Sequence, residues 1–494
     1  MKLRELLRDV PVRATRGDLD VEISAVTSDS RLAVRGSLFV AIPGTKQDGT
    51  KFIGGALEKG AAAVVAENPP ATRHPLPAFV EVDDARAALA MIAANFYGRP
   101  AAKLSLIGVT GTSGKTTTTK MIESIFDASG KPAGLIGTIE YRAGHERLVA
   151  DRTTPDAVVL QQWFAKMVQA HVKHAVMEVS SHALALKRTF GVRFAAAVFT
   201  NLSHEHLDFH KDLDDYFAAK RTLFDQIENA NRAVINNDDE YGRRLIKDLG
   251  PKPVTFGMKK ADISPAKGFE ISTRGLRGTL DTPAGPIRVD SPLLGRPNLY
   301  NWMGAVGAAI VVGIKPKQIE SGIRSLHSVR GRFEYVESSA GPTVIVDYAH
   351  KPDALEKLLN AVRDLAGKKR VVVLFGCGGD RDKEKRPKMG AIAVKLADFT
   401  ILTSDNPRSE KAEAILDDIE RGARDSGKYV RMADRRQAIA RAIDDAGDDD
   451  VIVIAGKGHE TYQVIGDQIV HFDDREEAEL ALKKRYEKVA PKSL

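Results

Sequence analysis

The chain has 494 residues, 43% hydrophobic and 28% charged, which supplies material for real cores and excludes disordered, collagen-like and disulfide-stapled architectures. Lys plus Arg number 73 against 66 Asp plus Glu, and the resulting net charge of +7 suits anionic ligands such as nucleotides. No uninterrupted basic block marks a nucleic-acid partner, and the single cysteine, Cys377, fits a reducing compartment.

At roughly 150 residues per domain the length points to about three domains. Met1–Arg8 mixes charges into its apolar positions, unlike a signal peptide, and the longest apolar run, Trp302–Ile314, falls short of the roughly 20 residues that cross a bilayer. A cytoplasmic protein without stable membrane insertion is expected. The runs Val21–Ile23, Leu38–Ile42 and Ala62–Ala66 read as strands, with helices over Phe52–Lys59 and Ala85–Phe96. Gly98-Arg99-Pro100 punctuates the chain before a strand at Leu104–Val109, a glycine loop and a helix. Buried-looking strands follow at Ala175–Val179, Ala195–Phe199 and Arg232–Asn236, alternating with helical stretches as in a mostly parallel, helix-covered sheet. Residues 262–292 read as antiparallel strands and turns, and Trp302–Ile314 as a buried helix. A further strand–helix alternation runs through Thr343–Asp347, Arg370–Phe375, Phe399–Leu402 and Val451–Ala455. The fold class is α/β in three domains, expected at 1–99, 100–328 and 329–494.

Thr110-Gly111-Thr112-Ser113-Gly114-Lys115-Thr116-Thr117 lies between strand and helix. Glycines there let backbone N–H groups approach phosphate, the helix N-terminus adds its dipole, Lys115 reaches terminal phosphates, and the Thr116 hydroxyl can ligate Mg²⁺. Val109 stands where the general phosphate-loop pattern has its first glycine. That shortened loop resembles the ATP loop of the Mur ligases, the amide-forming enzymes of peptidoglycan precursor synthesis, and is shared by folylpolyglutamate synthase.

Two strand-end segments strengthen the resemblance: Glu178-Val179-Ser180-Ser181-His182 and Asn201-Leu202-Ser203-His204-Glu205-His206-Leu207-Asp208-Phe209-His210. Three close histidines suit zinc, but the oxygen donors and the ATP loop favour Mg²⁺. The family pattern implies Mg²⁺ on Glu178 and His206, joined by Thr116. Lys220 in Phe217–Arg221 reads alone as a solvated helix lysine. The resemblance implies its carbamylation (N6-carboxylysine), which turns a cation into an anionic donor for a second Mg²⁺.

Asn298 and Asn301 read equally as helix-start caps or, by the resemblance, as adenine contacts. Val329–Glu334, with Arg332, resembles the family hinge, and Asp347–Asp353 the strand-end motif that meets ATP. Lys351 replaces the commoner threonine there. Phe375–Lys383, Arg386-Pro387, Asp405-Asn406-Pro407-Arg408 and Gly456-Lys457-Gly458-His459-Glu460 are loops beyond strand ends, a pattern that suits a zwitterion pocket. They resemble the family branch that adds meso-2,6-diaminopimelate rather than L-lysine. The extra carboxylate of diaminopimelate calls for a guanidinium, Arg408. The resemblance implies acceptor contacts at Arg386, Asp405, Asn406, Pro407, Arg408, Gly456 and Glu460.

In the first domain Ser28, Ser30, Thr45, Lys46 and Gln47 read alone as turn residues, and by the resemblance as UDP contacts. Thr153, Thr154, Ser180 and Arg188 match positions that hold the UDP-muramyl dipeptide. Family members often carry Gln where this chain has Leu186, so that contact is expected to be missing. The resemblance therefore implies a UDP-binding N-terminal α/β domain, a central ATPase-like P-loop domain with a mostly parallel sheet, and a Rossmann-like C-terminal domain. Its implied substrates are ATP, UDP-N-acetylmuramoyl-L-alanyl-D-glutamate and meso-2,6-diaminopimelate, joined through an acyl phosphate by a monomer. The rivals are an L-lysine-adding relative, a glutamate-adding folate ligase and a P-loop switch without ligase chemistry.

Overall fold

The computed structural model describes residues 1–44, 47–68, 78–337 and 341–489. The chain divides into two compact units, Met1–Ile263 with Gly304–Ile319, and Ser264–Met303 with Glu320–Leu494. Among the described residues no helix is long and apolar enough to cross a membrane.

The first unit contains a five-stranded and an eight-stranded sheet. In the smaller sheet Ala25–Thr27, Ser37–Val40, Ala63–Ala66 and Ala78–Glu81 run parallel in that order, and Ala14–Gly17 adds an antiparallel edge. Its strands are apolar on both faces because both are covered. Leu38, Val40, Val65 and Val80 pack on the helix Ala85–Phe96, while Phe39, Val64 and Phe79 pack on Ile53 and Ala56. Val21–Ile23 is not the strand its β-rich sequence predicts. It is tied to the N-terminal residues by Leu3 N–H to Val21 O and Ile23 N–H to Met1 O, and the sheet takes Ala25–Thr27 instead.

The larger sheet runs Val254–Phe256, Ala233–Asn236, Ala196–Phe199, Ser105–Thr110, His174–Glu178, Ala133–Ile136, Glu140–Ala143 and Glu146–Val149. The first six strands are parallel, and the last two form an antiparallel extension absent from the sequence reading. Ser105–Thr110 is central, flanked by Ala196–Phe199 and His174–Glu178. The chain leaves it toward one edge and later returns to its other side, so this is a topological switch point where strand C-terminal ends open a crevice.

In the second unit residues 264–291 form the expected antiparallel subsheet, in which Gly275–Asp281 pairs with three partners. A six-stranded sheet follows, in the order Glu334–Val336, Thr343–Asp347, Val451–Ala455, Val371–Phe375, Phe399–Leu402 and Tyr429–Arg431. All its pairings are parallel except the first. The C-terminal ends of its three middle strands point the loops after Phe375, Leu402 and Ala455 the same way. A hairpin, Tyr462–Ile465 with Gln468–His471, lies beside the second of these loops.

Candidate active site

In the first unit the phosphate loop is fixed by its neighbour strands. Gly111 has φ +145°, and a Cβ there would sit 1.9 Å from Thr200 Oγ1, so only glycine fits. Thr112 N–H donates to Asn201 O (2.8 Å), Ser113 N–H to Asn201 Oδ1 (3.0 Å), and Thr200 Oγ1 to Ser113 O (2.6 Å). Gly114, at φ +86°, precedes the helix Lys115–Ala128, whose N-terminus has no capping side chain. The Lys115 ammonium donates to Gly111 O (2.8 Å) and Thr112 O (2.9 Å), curled over the loop it serves.

Glu178, 1% exposed at its strand end, accepts from Thr116 Oγ1 (3.0 Å), Thr138 N–H (2.7 Å) and Thr138 Oγ1 (3.0 Å). Thr138 in turn meets Thr153 (3.1 Å between hydroxyls), and Thr154 Oγ1 donates to Glu178 O (2.8 Å). Ser180 N–H donates to Thr154 Oγ1 (3.1 Å) and Arg188 Nη1 to Thr154 O (2.7 Å). The residues matched to the dipeptide therefore surround the residue matched to the metal.

Lys220 is 1% exposed on the helix Leu213–Arg221, with Nζ donating to Gly111 O (2.9 Å) and lying 4.5 Å from the centre of the Tyr216 ring. It is not the solvated lysine its local sequence suggests. Burial, with Lys115 nearby, pushes its pKa well below the usual lysine value, which makes the charged form costly. Tyr216 Oη pairs with Thr112 Oγ1 (3.1 Å) and its ring lies 6.0 Å from that of His206. His206 (φ +60°) stands edge-on to His182 at 4.8 Å, and His210 is held between Ser181 Oγ (3.0 Å) and Asp215 Oδ2 (3.3 Å). Burial lowers the pKa of both His182 and His210.

The Thr116–Glu178 oxygen pair is a hard-donor environment suited to Mg²⁺. Among the described residues no group of three His, Cys, Asp or Glu side chains is placed to hold a metal. Phosphate, water or carbamate oxygens must therefore complete any shell, a pattern natural to Mg²⁺ and foreign to a structural zinc site.

Ser28 and Ser30 lie beyond the strand Ala25–Thr27, where Asp29 accepts from Arg31 N–H (2.9 Å) and turns the backbone. Gln47 is exposed, while Thr45 and Lys46 lie outside the described residues.

In the second unit Asn298 and Asn301 are not helix caps. Both lie within the helix Gly295–Val311, Asn298 Nδ2 donating to Leu294 O (2.9 Å) and Asn301 Nδ2 to Asn298 Oδ1 (3.3 Å). Asp347 accepts from Phe333 N–H (2.7 Å) and Ala349 N–H (2.8 Å), and Arg332 stacks over Tyr348 at 4.8 Å. Burial raises the pKa of Asp347 against the pull of Arg332.

The three loops beyond the middle strands interlock. A Cβ on Gly376 would lie 2.4 Å from Thr403 O, one on Gly379 1.8 Å from Pro407 O, and one on Gly378 2.8 Å from Arg408 Nη1. Arg408 Nη1 donates to Gly379 O (2.8 Å). Its backbone is left-handed (φ +52°) and clamped to the hairpin by Arg408 N–H to Val464 O (3.0 Å) and Gly466 N–H to Arg408 O (2.8 Å). Such a backbone costs of order 1–3 kcal/mol and points to a positional demand on the side chain. Gly456 (φ +118°) borders the Asp405 carboxylate, and Asn406 Nδ2 donates to Glu460 Oε2 (2.9 Å). Arg386, expected beside the amino acid, is fully buried. Its two terminal nitrogens are engaged by Glu410 (2.8 and 3.0 Å), Asp418 (2.9 Å) and Gly378 O (3.3 Å), so it braces the glycine loop.

Three segments match known family models: residues 22–97 the Mur ligase family catalytic domain, 109–309 the Mur ligase middle domain, and 331–458 the Mur ligase glutamate ligase domain. The chain belongs to the Mur ligase family. It is 46% identical to the UDP-N-acetylmuramoyl-L-alanyl-D-glutamate–2,6-diaminopimelate ligase of Gloeobacter violaceus, over 98% of this chain and 99% of that one. The identity is 44% with ligase 1 of that name from Clostridium acetobutylicum, over 96% and 98%. A solved structure of a ligase with the same name superposes with a TM-score of 0.70 at 31% identity, covering 98% of this chain and 99% of that one.

As in any Mur ligase, amide formation here uses ATP. Sequence reasoning missed Thr138, Tyr216 and Glu410. Thr138 carried a weak signal, as a Gly-Thr pair at the end of a buried strand, whereas Tyr216 and Glu410 reach their partners only through the tertiary fold.

Proposed function

We propose that this Mur ligase joins meso-2,6-diaminopimelate to the D-glutamate of UDP-N-acetylmuramoyl-L-alanyl-D-glutamate at the expense of ATP. The observation that carries the reading is Arg408, held in a left-handed backbone on the loop that carries Asp405 and Asn406, with Asn406 bonded to Glu460. That is one guanidinium for the carboxylate and a set of acceptor oxygens for the ammonium of a distal amino-acid centre. The high identity to ligases named for that reaction supports it. The single cysteine fits a reducing compartment such as the cytoplasm.

The phosphate-loop amides and Lys115 hold the triphosphate, with Asn298, Asn301, Arg332 and Asp347 on the nucleotide. Ser28, Ser30, Gln47, Thr153, Thr154, Ser180 and Arg188 hold the UDP-linked dipeptide. The side-chain carboxylate of D-glutamate attacks the terminal phosphorus, the bond to ADP breaks, and an acyl phosphate forms. The amine of diaminopimelate then adds to the acyl carbon, loses its proton, and the tetrahedral adduct expels phosphate to leave the amide. The protein's task is to hold two anions against each other and keep water away. The buried amine of Lys220, in its neutral form, can add carbon dioxide and lose a proton, giving a carbamate. Thr116, Glu178, His206 and carbamylated Lys220 would hold Mg²⁺, which would supply charge neutralisation at the phosphates.

The test is substrate labelled with ¹⁸O in the glutamate side-chain carboxylate. The reading predicts one phosphate per amide, dependent on diaminopimelate, with one ¹⁸O carried into that phosphate. Acceptor-independent phosphate release without amide would contradict it.

A further inference from the structure

Lys457 is a fully buried cation in the acceptor pocket. Its Nζ lies 3.5 Å from Asp405 Oδ1, 3.4 Å from Glu460 Oε2 and 3.2 Å from Asn406 Oδ1. The amide of Asn406 does not need it for orientation, because Val464 N–H also donates to Asn406 Oδ1 (3.0 Å) and Glu460 accepts from Nδ2. What the lysine adds is charge. Asp405 and Glu460 are two carboxylates facing one site, while an amino-acid centre brings a single ammonium. Two such carboxylates left together share a proton, as like charges in one site do.

We propose that Lys457 is a positioning residue whose charge lets the Asp405 and Glu460 carboxylates act together as anionic partners of one acceptor ammonium. The inference rests on the reading of the chain as a diaminopimelate-adding ligase. Burial already pushes the Glu460 pKa up, with Lys457 as the main opposing influence.

The other ionisable groups around the pair have partners of their own or are shifted by burial. Arg435 lies behind both carboxylates but is fully buried against Asp474, donating to both its oxygens at 2.7 Å. Tyr348 is raised to about 12, and Tyr462, next to Arg408, is raised as well. On the far side of Asp405, His350 is lowered to about 4, Cys377 is raised to about 12, and Lys385 is lowered by burial; His459, beside Glu460, is lowered to about 4.

The test is the KM for diaminopimelate from about pH 6.5 to about pH 9, written as the ratio of variant to wild type so that titration of the free amino acid and of Lys385 cancels. In Lys457→Met the carboxylate pair takes up a proton at the lower pH and loses it as pH rises. The ratio is therefore expected to be about tenfold or more near neutrality and to fall toward unity at the alkaline end, with the KM for ATP little changed. Lys457→Arg, which keeps the charge, gives a ratio flat in pH. The double variant Lys457→Met/Glu460→Gln removes one charge of each sign and should also be flat, which keeps the test open if the single variant fails to fold. A pH-independent ratio for Lys457→Met, or a pH-dependent one for the double variant, overturns the inference while leaving the ligase reading intact. Wild type that forms no amide with diaminopimelate overturns both.

Discussion

Lys220 shows how far a side chain's surroundings can depart from its local sequence. Phe217-Ala218-Ala219-Lys220-Arg221 looks like an exposed helix end, yet the lysine is buried against Gly111 O and the Tyr216 ring, and its charged form is disfavoured. A neutral amine is the form that reacts with carbon dioxide, so burial favours the carbamylation proposed for this lysine. Lys220→Ala is expected to lower amide formation by about a thousandfold or more, a loss of about 4 kcal/mol in the barrier. Short carboxylic acids should restore part of the activity by standing in for the missing carbamate. Full activity of the variant without added acid would contradict this, and phosphate release with and without acetate is the measurement. The phosphate loop and the Asp405–Arg408 tetrapeptide were legible in the sequence because each is contiguous and follows an apolar strand. The burial of Lys220 was not, because its partner Gly111 lies far away in the chain.

Strand order explains which elements meet. His174–Glu178 inserts between Ser105–Thr110 and Ala133–Ile136, so the loop after the last of these delivers Thr138 to Glu178. A reading by alternation finds neither the strand Ala133–Ile136 nor the order of its neighbours, and so missed Thr138. Val21–Ile23 failed for a related reason: β propensity describes a residue's fit to a pleated surface, and here the N-terminus took the available pairing. In the second unit the loops after Leu402 and Ala455 are tied from behind by Arg435, which donates to Ser404 O (3.2 Å), Ala455 O (3.0 Å) and Asp474. Both members of that ion pair are fully buried. Asp474→Ala leaves an uncompensated guanidinium under the pocket and is expected to cost about 3–5 kcal/mol. It should also raise the KM for diaminopimelate, since the ends of both loops shift. Thermal denaturation and acceptor kinetics of the variant measure the two effects. A melting temperature within a degree of wild type would contradict the assignment.

At the scale of the whole molecule, the residues proposed to hold phosphate and dipeptide lie in the first unit, and those proposed for the acceptor, with Asn298, Asn301, Arg332 and Asp347 proposed for the nucleotide, lie in the second. The three-domain α/β organisation was legible from alternating apolar strands and helices, whereas the two hairpins, at Glu140–Val149 and Tyr462–His471, were not, because they are short and partly exposed. The second hairpin clamps the backbone of Arg408. On the proposed function, discrimination between acceptors is a property of the assembled loops, delivered through one guanidinium. The most direct measurement is the ratio of kcat/KM for meso-2,6-diaminopimelate to that for L-lysine, in wild type and in Arg408→Ala. Loss of the charge-assisted grip on the second carboxylate is expected to lower that ratio by about a hundredfold, about 2.7 kcal/mol. An unchanged ratio in a folded Arg408→Ala protein would contradict the account.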